Sequence, residues 1–161
     1  MRNRVTPLLA PAALLLMLSS CGGAAPSKPQ DAAAIEVQAH GDYVAAINSN
    51  DPATLMAALT DDVVYQYPGA PELIGREAVG AWVKGYFGAY TTKWEKTSHG
   101  FTVNGDLAVE RYTYKSTDTD KKSGAVTIDQ GKGINVFRRE TDGKWRVAVD
   151  GWSSDLPAGG Q

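Results

Sequence analysis

Residues 133–139 and 144–152 are rich in Val, Ile, Phe and Trp, and Glu140-Thr141-Asp142-Gly143 between them has the chemistry of a four-residue hairpin loop. Pairing across that loop sets Arg138 opposite Trp145, Val136 opposite Val147 and Asn135 opposite Ala148. Because side chains alternate, one face carries Ile134, Val136, Trp145, Val147 and Val149. The other carries Asn135, Phe137, Ala148, Asp150 and Trp152, an apolar surface with an amide and a carboxylate set into it. That mixture suits a pocket better than a plain core. Desolvation among apolar neighbours is the usual way a carboxylate becomes a proton carrier near neutrality, which makes Asp150 a candidate general base. The competing reading is that Asp150 holds Tyr43 or Tyr67 by a hydrogen bond.

Other side chains call for the same weighing. Glu110 is a second candidate for a buried carboxylate, on a strand with Tyr112 and Tyr114, although Val109, Arg111 and Thr113 alternate with it and compete for the inward face. Tyr43 falls on an apolar helical stripe, where a phenol needs a partner; a core role and a pocket role are both open. Trp82 and Tyr86 could stack on a ligand, though aromatic residues at helical spacing are more often core. His40 lies off the helical stripe and is expected to face solvent; neither it nor His99 has partners at metal-ligand spacing, so no metal is expected. Asp61-Asp62 reads as a cap and turn, residues 117–124 as a solvated hairpin loop without the spacing of a calcium loop, and Lys132 with Asp129 as a charged pair at a pocket lip. With no Gly-rich strand-to-helix turn, no nucleotide or other cofactor is expected.

These side chains need elements to hold them. Asp31 caps a helix running to about Ser49, with Ile35, Ala39, Tyr43 and Ile47 on its buried stripe, and Asp51-Pro52 opens a short second helix. Val63 to Tyr67 reads as a strand. Gly75-Arg76-Glu77 opens a third helix, with Val79, Trp82, Val83, Tyr86 and Tyr90 on one side. From Thr92 onward the period is two, with Asn104-Gly105 as the strongest hairpin signal and Gly131 and Gly133 allowing a bend in the strand from Ala125 to Arg139. Three helices followed by an antiparallel meander predict an α+β fold, with the helices in the concave face of a curved antiparallel sheet.

The chain has 161 residues, a net charge of -2 and scattered basic residues, which fits one domain and gives no reason to expect nucleic acid. Its start is different in kind. Arg2 and Arg4 precede an apolar, Pro-broken run too short for a stable span, so residues 1–20 are expected to be a signal peptide. Leu18-Ser19-Ser20-Cys21 resembles the bacterial lipobox, which makes Cys21, the only cysteine, a candidate for lipidation. Residues 21–30 then form a tether, 31–156 the domain and 157–161 a tail. A lipid-anchored protein of the cell envelope is expected, at the outer membrane if the host is Gram-negative.

The element order, Tyr43 to Asn48 before Asp51, the Thr60-Asp61-Asp62 junction, Gly75-Arg76-Glu77-Ala78-Val79 and the ending from Asp142-Gly143-Lys144-Trp145 to Asp150-Gly151-Trp152 together resemble the nuclear transport factor 2-like superfamily, SnoaL-like domains above all. The resemblance implies a cone whose open end is a ligand pocket. It matches Tyr43 to the ketosteroid isomerase tyrosine that donates to the developing oxyanion, and Asn135 to the second donor. Tyr67 takes the place of the proton-shuttling aspartate, and a phenol is a poor base at neutral pH, which argues against steroid isomerisation by that route. The site expected is Tyr43, Tyr67, Asn135, Asp150 and Trp152, with Phe137, Tyr112 and Trp82 as further lining, for a small, mostly apolar ligand. An acid–base isomerase, cyclase or hydrolase with Asp150 as base is the first alternative. The second is a dimer or partner surface on the outer sheet face, with Trp145, Val147 and Val149.

Overall fold

A computed structural model describes residues 31–157 of the chain. The expected leader, the whole tether with Cys21, and residues 158–161 of the expected tail lie outside these residues. Two capped helices come first: α1 (Ala32–Asn48), where Asp31 accepts from the Ala33 and Ala34 amides, and α2 (Pro52–Ala57), where Asp51 accepts from the Thr54 amide. Strands β1 (Leu59–Gln66) and β2 (Leu73–Ile74) lead to α3 (Gly75–Ala89). Four long strands follow, β3 (Tyr90–Asn104), β4 (Leu107–Asp120), β5 (Val126–Arg139) and β6 (Trp145–Ser154). Among the described residues no helix is long and apolar enough to cross a membrane.

The six strands lie in the order β2-β1-β6-β5-β4-β3. The sheet is mixed, not antiparallel throughout, because β1 returns beside β6 in parallel. It curves around the helices, with α1 against β3 and α3 against β1. Ala39, Tyr43, Ala46 and Ile47 of α1 and Val79, Val83 and Phe87 of α3 meet Val63, Tyr65, Phe137 and Val147 in the core.

Several boundaries differ from the sequence reading. Asp61 and Asp62 are not a turn: they lie on the exposed side of β1, where Arg138 grips Asp62 by two bonds of 2.7 and 2.9 Å and Arg76 pairs with Asp61. Thr117 to Asp120 continue β4 instead of opening a loop, and Asp120 then accepts from the Lys122 and Ser123 amides to make a short turn. Tyr90 starts β3, and Phe87 takes the buried place at the end of α3.

The last hairpin pairs one residue out of the expected register beside its loop, with Arg138 opposite Arg146 and Arg139 opposite Trp145, and it holds a bulge that the pairing rule does not foresee. Val136 is opposite Val149 but Phe137 is opposite Val147, so Ala148 is an extra residue and β6 changes phase there. Asn135 thereby lies directly opposite Asp150, not Ala148, and the two keep the shared face expected of them. Val147, however, turns inward and is fully buried, and Trp145 packs against the core. Of the expected outer-face trio, only Val149 stays outside, in a row Val64-Val149-Val136-Val109 that crosses four strands.

Two close approaches shape the inner face. Tyr112 lies directly across from Gly133 and Tyr114 across from Gly131. A Cβ at Gly133 would stand 2.4 Å from the Tyr112 hydroxyl, and one at Gly131 would stand 2.9 Å from the Tyr114 ring. These glycines make room for rings lying flat over the strand, the usual use of an aromatic beside a strand glycine. At the β3 edge, Asn48 exchanges two hydrogen bonds with the backbone of Trp94 (2.7 and 2.9 Å), and Asn50 does the same with Thr92 (2.7 and 2.9 Å).

Candidate functional site

Asp150 sits at the centre of a buried polar cluster. Its Oδ2 accepts from the Tyr43 hydroxyl at 2.6 Å, and its Oδ1 accepts from Tyr112 at 2.8 Å and from the Asn135 amide at 2.6 Å. The Tyr65 hydroxyl lies 3.1 Å from that of Tyr43. On the far side, Lys96 donates to Asn135 Oδ1 at 2.7 Å, its ammonium 3.5 Å from the centre of the Tyr112 ring. Burial, reinforced by the Asp150 charge, drives the Tyr43, Tyr65 and Tyr112 hydroxyls well above the ordinary phenol range, so each stays a donor. Burial pulls the Lys96 ammonium below its ordinary value, against the opposing charges of Asp150 and Glu110.

Glu110 is fully buried beside this cluster, which settles the face of its strand: Tyr112 and Tyr114 point in with it, and Val109 and Arg111 point out. Its partner is His40, with Nδ1 2.5 Å from Oε1. His40 is therefore not a solvent-facing residue; its side chain is 21% exposed and reaches in from α1. His99 is exposed and bonds Thr113. Among the described residues no three His, Cys, Asp or Glu side chains gather as a metal site would require.

The space above Asp150 is nearly full. A cavity of about 30 Å³ remains, lined by Tyr43, Tyr65, Asp150, Trp82, Trp94 and Trp152 among others, which is room for about one water. Beyond these rings the cone opens into a cleft of about 200 Å³. Tyr67, Trp82, Tyr86, Trp94 and Trp152 wall it, and Asp118, Asp129, Ser116 and Ser154 supply its polar groups. Trp82 stacks on Tyr86 at 5.0 Å and Tyr67 on Trp152 at 6.0 Å, while Trp94 stands nearly perpendicular to Trp152 at 88°. Tyr86 donates to Asp118 at 2.6 Å, and Tyr114 donates to Asp129 at 2.7 Å.

The expected residues therefore fall into two neighbouring groups. Tyr43, Tyr112, Asn135 and Asp150 converge inside, with Phe137 edge-on to Tyr43 at 6.4 Å. Tyr67, Trp82 and Trp152 converge at the mouth. The expected lip pair does not form: Lys132 pairs with Asp155, and Asp129 accepts from Tyr114 and Ser154. Four contributors were missed. Tyr65 shares its face with Val63 and Tyr67, so alternation alone would have found it; Lys96 and Trp94 likewise alternate inward along β3. Asp118 lies in a polar stretch that reads as a loop, which gives it no face; in the structure it continues β4.

A family model described as the SnoaL-like domain matches residues 40–148. The chain belongs to that family. A ketosteroid isomerase-like protein from Erwinia carotovora atroseptica is 25% identical, with a TM-score of 0.71, over 81% of this chain and all of that one. A conserved protein from Planctomyces limnophilus is 24% identical with a TM-score of 0.68, covering 76% of this chain and 98% of its own. An NTF2-like family protein from Streptomyces avermitilis is 21% identical with a TM-score of 0.69, over 78% and 98% of the two chains. No curated protein matches significantly. As a SnoaL-like domain the chain shares the cone these proteins have; the aromatic mouth and the Asp150 cluster are read from its own residues.

Proposed function

We propose that this SnoaL-like domain is a small-molecule-binding module of the cell envelope, anchored by lipid on Cys21, with its ligand seated at the mouth of the cone. The supporting observation is the division of space: about 30 Å³ above Asp150 against about 200 Å³ between the outer rings. Small-molecule sites are concave and largely apolar with a few fixed polar groups, and the mouth has that character.

The same division weighs against Asp150 as a general base. Its oxygens already accept from Tyr43, Tyr112 and Asn135, and a base must be within hydrogen-bond reach of the proton it takes. A substrate would have to displace the Trp94 or Trp152 ring to arrive there. The polar cluster instead stiffens the floor on which the mouth is built.

Native mass spectrometry of the full chain, purified from its host in a maltoside detergent, tests the binding reading. A retained small molecule that is lost in Trp152→Ala is the expected result; a protein that emerges empty and binds no probe at the mouth would sink it. For the anchor, Cys21→Ala should move the protein from the membrane to the soluble fraction. Unchanged membrane retention would refute lipidation at that residue.

A further inference from the structure

Resting on the reading that the mouth of the cone is the binding site, we infer that its ligand is a small organic cation of the quaternary ammonium type. The cleft is walled by five aromatic rings and carries two carboxylates, Asp118 and Asp129, yet no Lys or Arg lines it. A methylated ammonium group is drawn to ring faces by their quadrupole and has no N–H that must be satisfied, so rings can replace its water shell. Neutral apolar ligands gain nothing from the carboxylates, and anions are repelled by them.

Three details sharpen the assignment. First, the rings meet at varied angles: Tyr67 and Trp82 at 42°, Trp82 and Trp152 at 62°, Trp94 and Trp152 at 88°. Although Trp82 stacks on Tyr86 and Tyr67 on Trp152, the two stacks are set across one another, so the mouth suits a rounded head group better than a flat ligand, which would want parallel walls. Second, the two carboxylates are held by phenols, not by cations. Tyr86 and Thr92 both donate to Asp118 Oδ1, leaving Oδ2 without a donor among the described residues, and Tyr114 and Ser154 donate to Asp129. A phenol donating to a carboxylate carries more electron density in its ring, so Tyr86 becomes a better cation partner. Third, two lysines of the neighbouring strand and turn are engaged elsewhere: Lys132 with Asp155, and Lys121 with the Phe87 carbonyl at 2.5 Å. The negative charge of the mouth is therefore left for a ligand to answer.

The test is isothermal titration of the full chain, in maltoside detergent, with choline and with its neutral isostere 3,3-dimethylbutan-1-ol. Choline should bind at least about tenfold more tightly than the isostere. Its affinity should weaken in about 0.5 M salt, and Asp118→Asn and Trp152→Leu should each reduce it severalfold with the far-ultraviolet circular dichroism unchanged. Equal binding of the two probes would overturn the cation assignment and leave the mouth as a binding site. Binding of neither would overturn both.

Discussion

At the scale of single residues, the buried charges are held by specific partners and should respond to the loss of any one. Glu110 is wholly enclosed and His40 is its partner, so removing the imidazole strands a carboxylate away from water. His40→Ala should lower the unfolding free energy by about 2–4 kcal/mol, and adding Glu110→Met should recover much of that loss, because the uncompensated charge rather than the missing bond carries the cost. Urea melts of the two single variants and the double check it; a double variant as unstable as the sum of the singles would contradict the account. The phenols give a pH dependence with a definite sign. Tyr43, Tyr65 and Tyr112 keep their protons in the native state beyond the range in which an unfolded phenol ionises. Above about pH 10 the unfolded chain sheds protons that the native chain holds, so stability present below that pH is lost as pH rises, by about 1.4 kcal/mol per pH unit per phenol. Lys96 acts in the opposite sense, since its lowered affinity for a proton makes the fold gain as pH climbs towards the ordinary lysine range. Urea midpoints measured from pH 9 to 11 should fall at the upper end, with a shallower decline in Tyr43→Phe.

At the scale of elements, the long β4–β5 pairing places Tyr112 where it can reach Asp150, and Gly133 is what lets the ring pass. Gly133→Ala would drive a methyl group into the Tyr112 hydroxyl and the Gly151 carbonyl, both within 2.5 Å of its Cβ. The expected cost is about 2–4 kcal/mol, with altered near-ultraviolet circular dichroism from the displaced tyrosine, and wild-type stability would show that the ring has another place to go. The helices were legible from their caps and stripes: Asp31, Asp51-Pro52 and the Val79–Val83 spacing all sit where the pattern puts them. The pocket face was legible in part. Asn135 and Asp150 share it because their distance from the hairpin loop is right on both strands once Ala148 bulges, and nothing local in Val147-Ala148-Val149 announces a bulge. The parallel return of β1 beside β6 was out of reach, since it depends on how the whole sheet curves and not on any short pattern.

At the scale of the molecule, the outer face of the sheet leaves several apolar side chains uncovered. Leu107, Val109 and Ile134 are each about half exposed there (50%, 45% and 51%), beside the valine row that crosses β1, β6, β5 and β4. Contiguous apolar side chains on a sheet face are commonly covered by association, so the domain is expected to self-associate through it. Light scattering after size exclusion should give more than one copy per particle, and Ile134→Glu should return it to a single copy; a wild-type chain that is strictly monomeric at high concentration would refute this. The edges of the same sheet behave differently. Asn48 and Asn50 occupy the outward hydrogen-bonding groups of Trp94 and Thr92 near the start of β3, and β2 at the other edge is only two residues long. Chains crowded side by side can therefore meet across their broad surfaces, while at the start of β3 the two asparagine amides are a latch against the addition of a neighbouring strand.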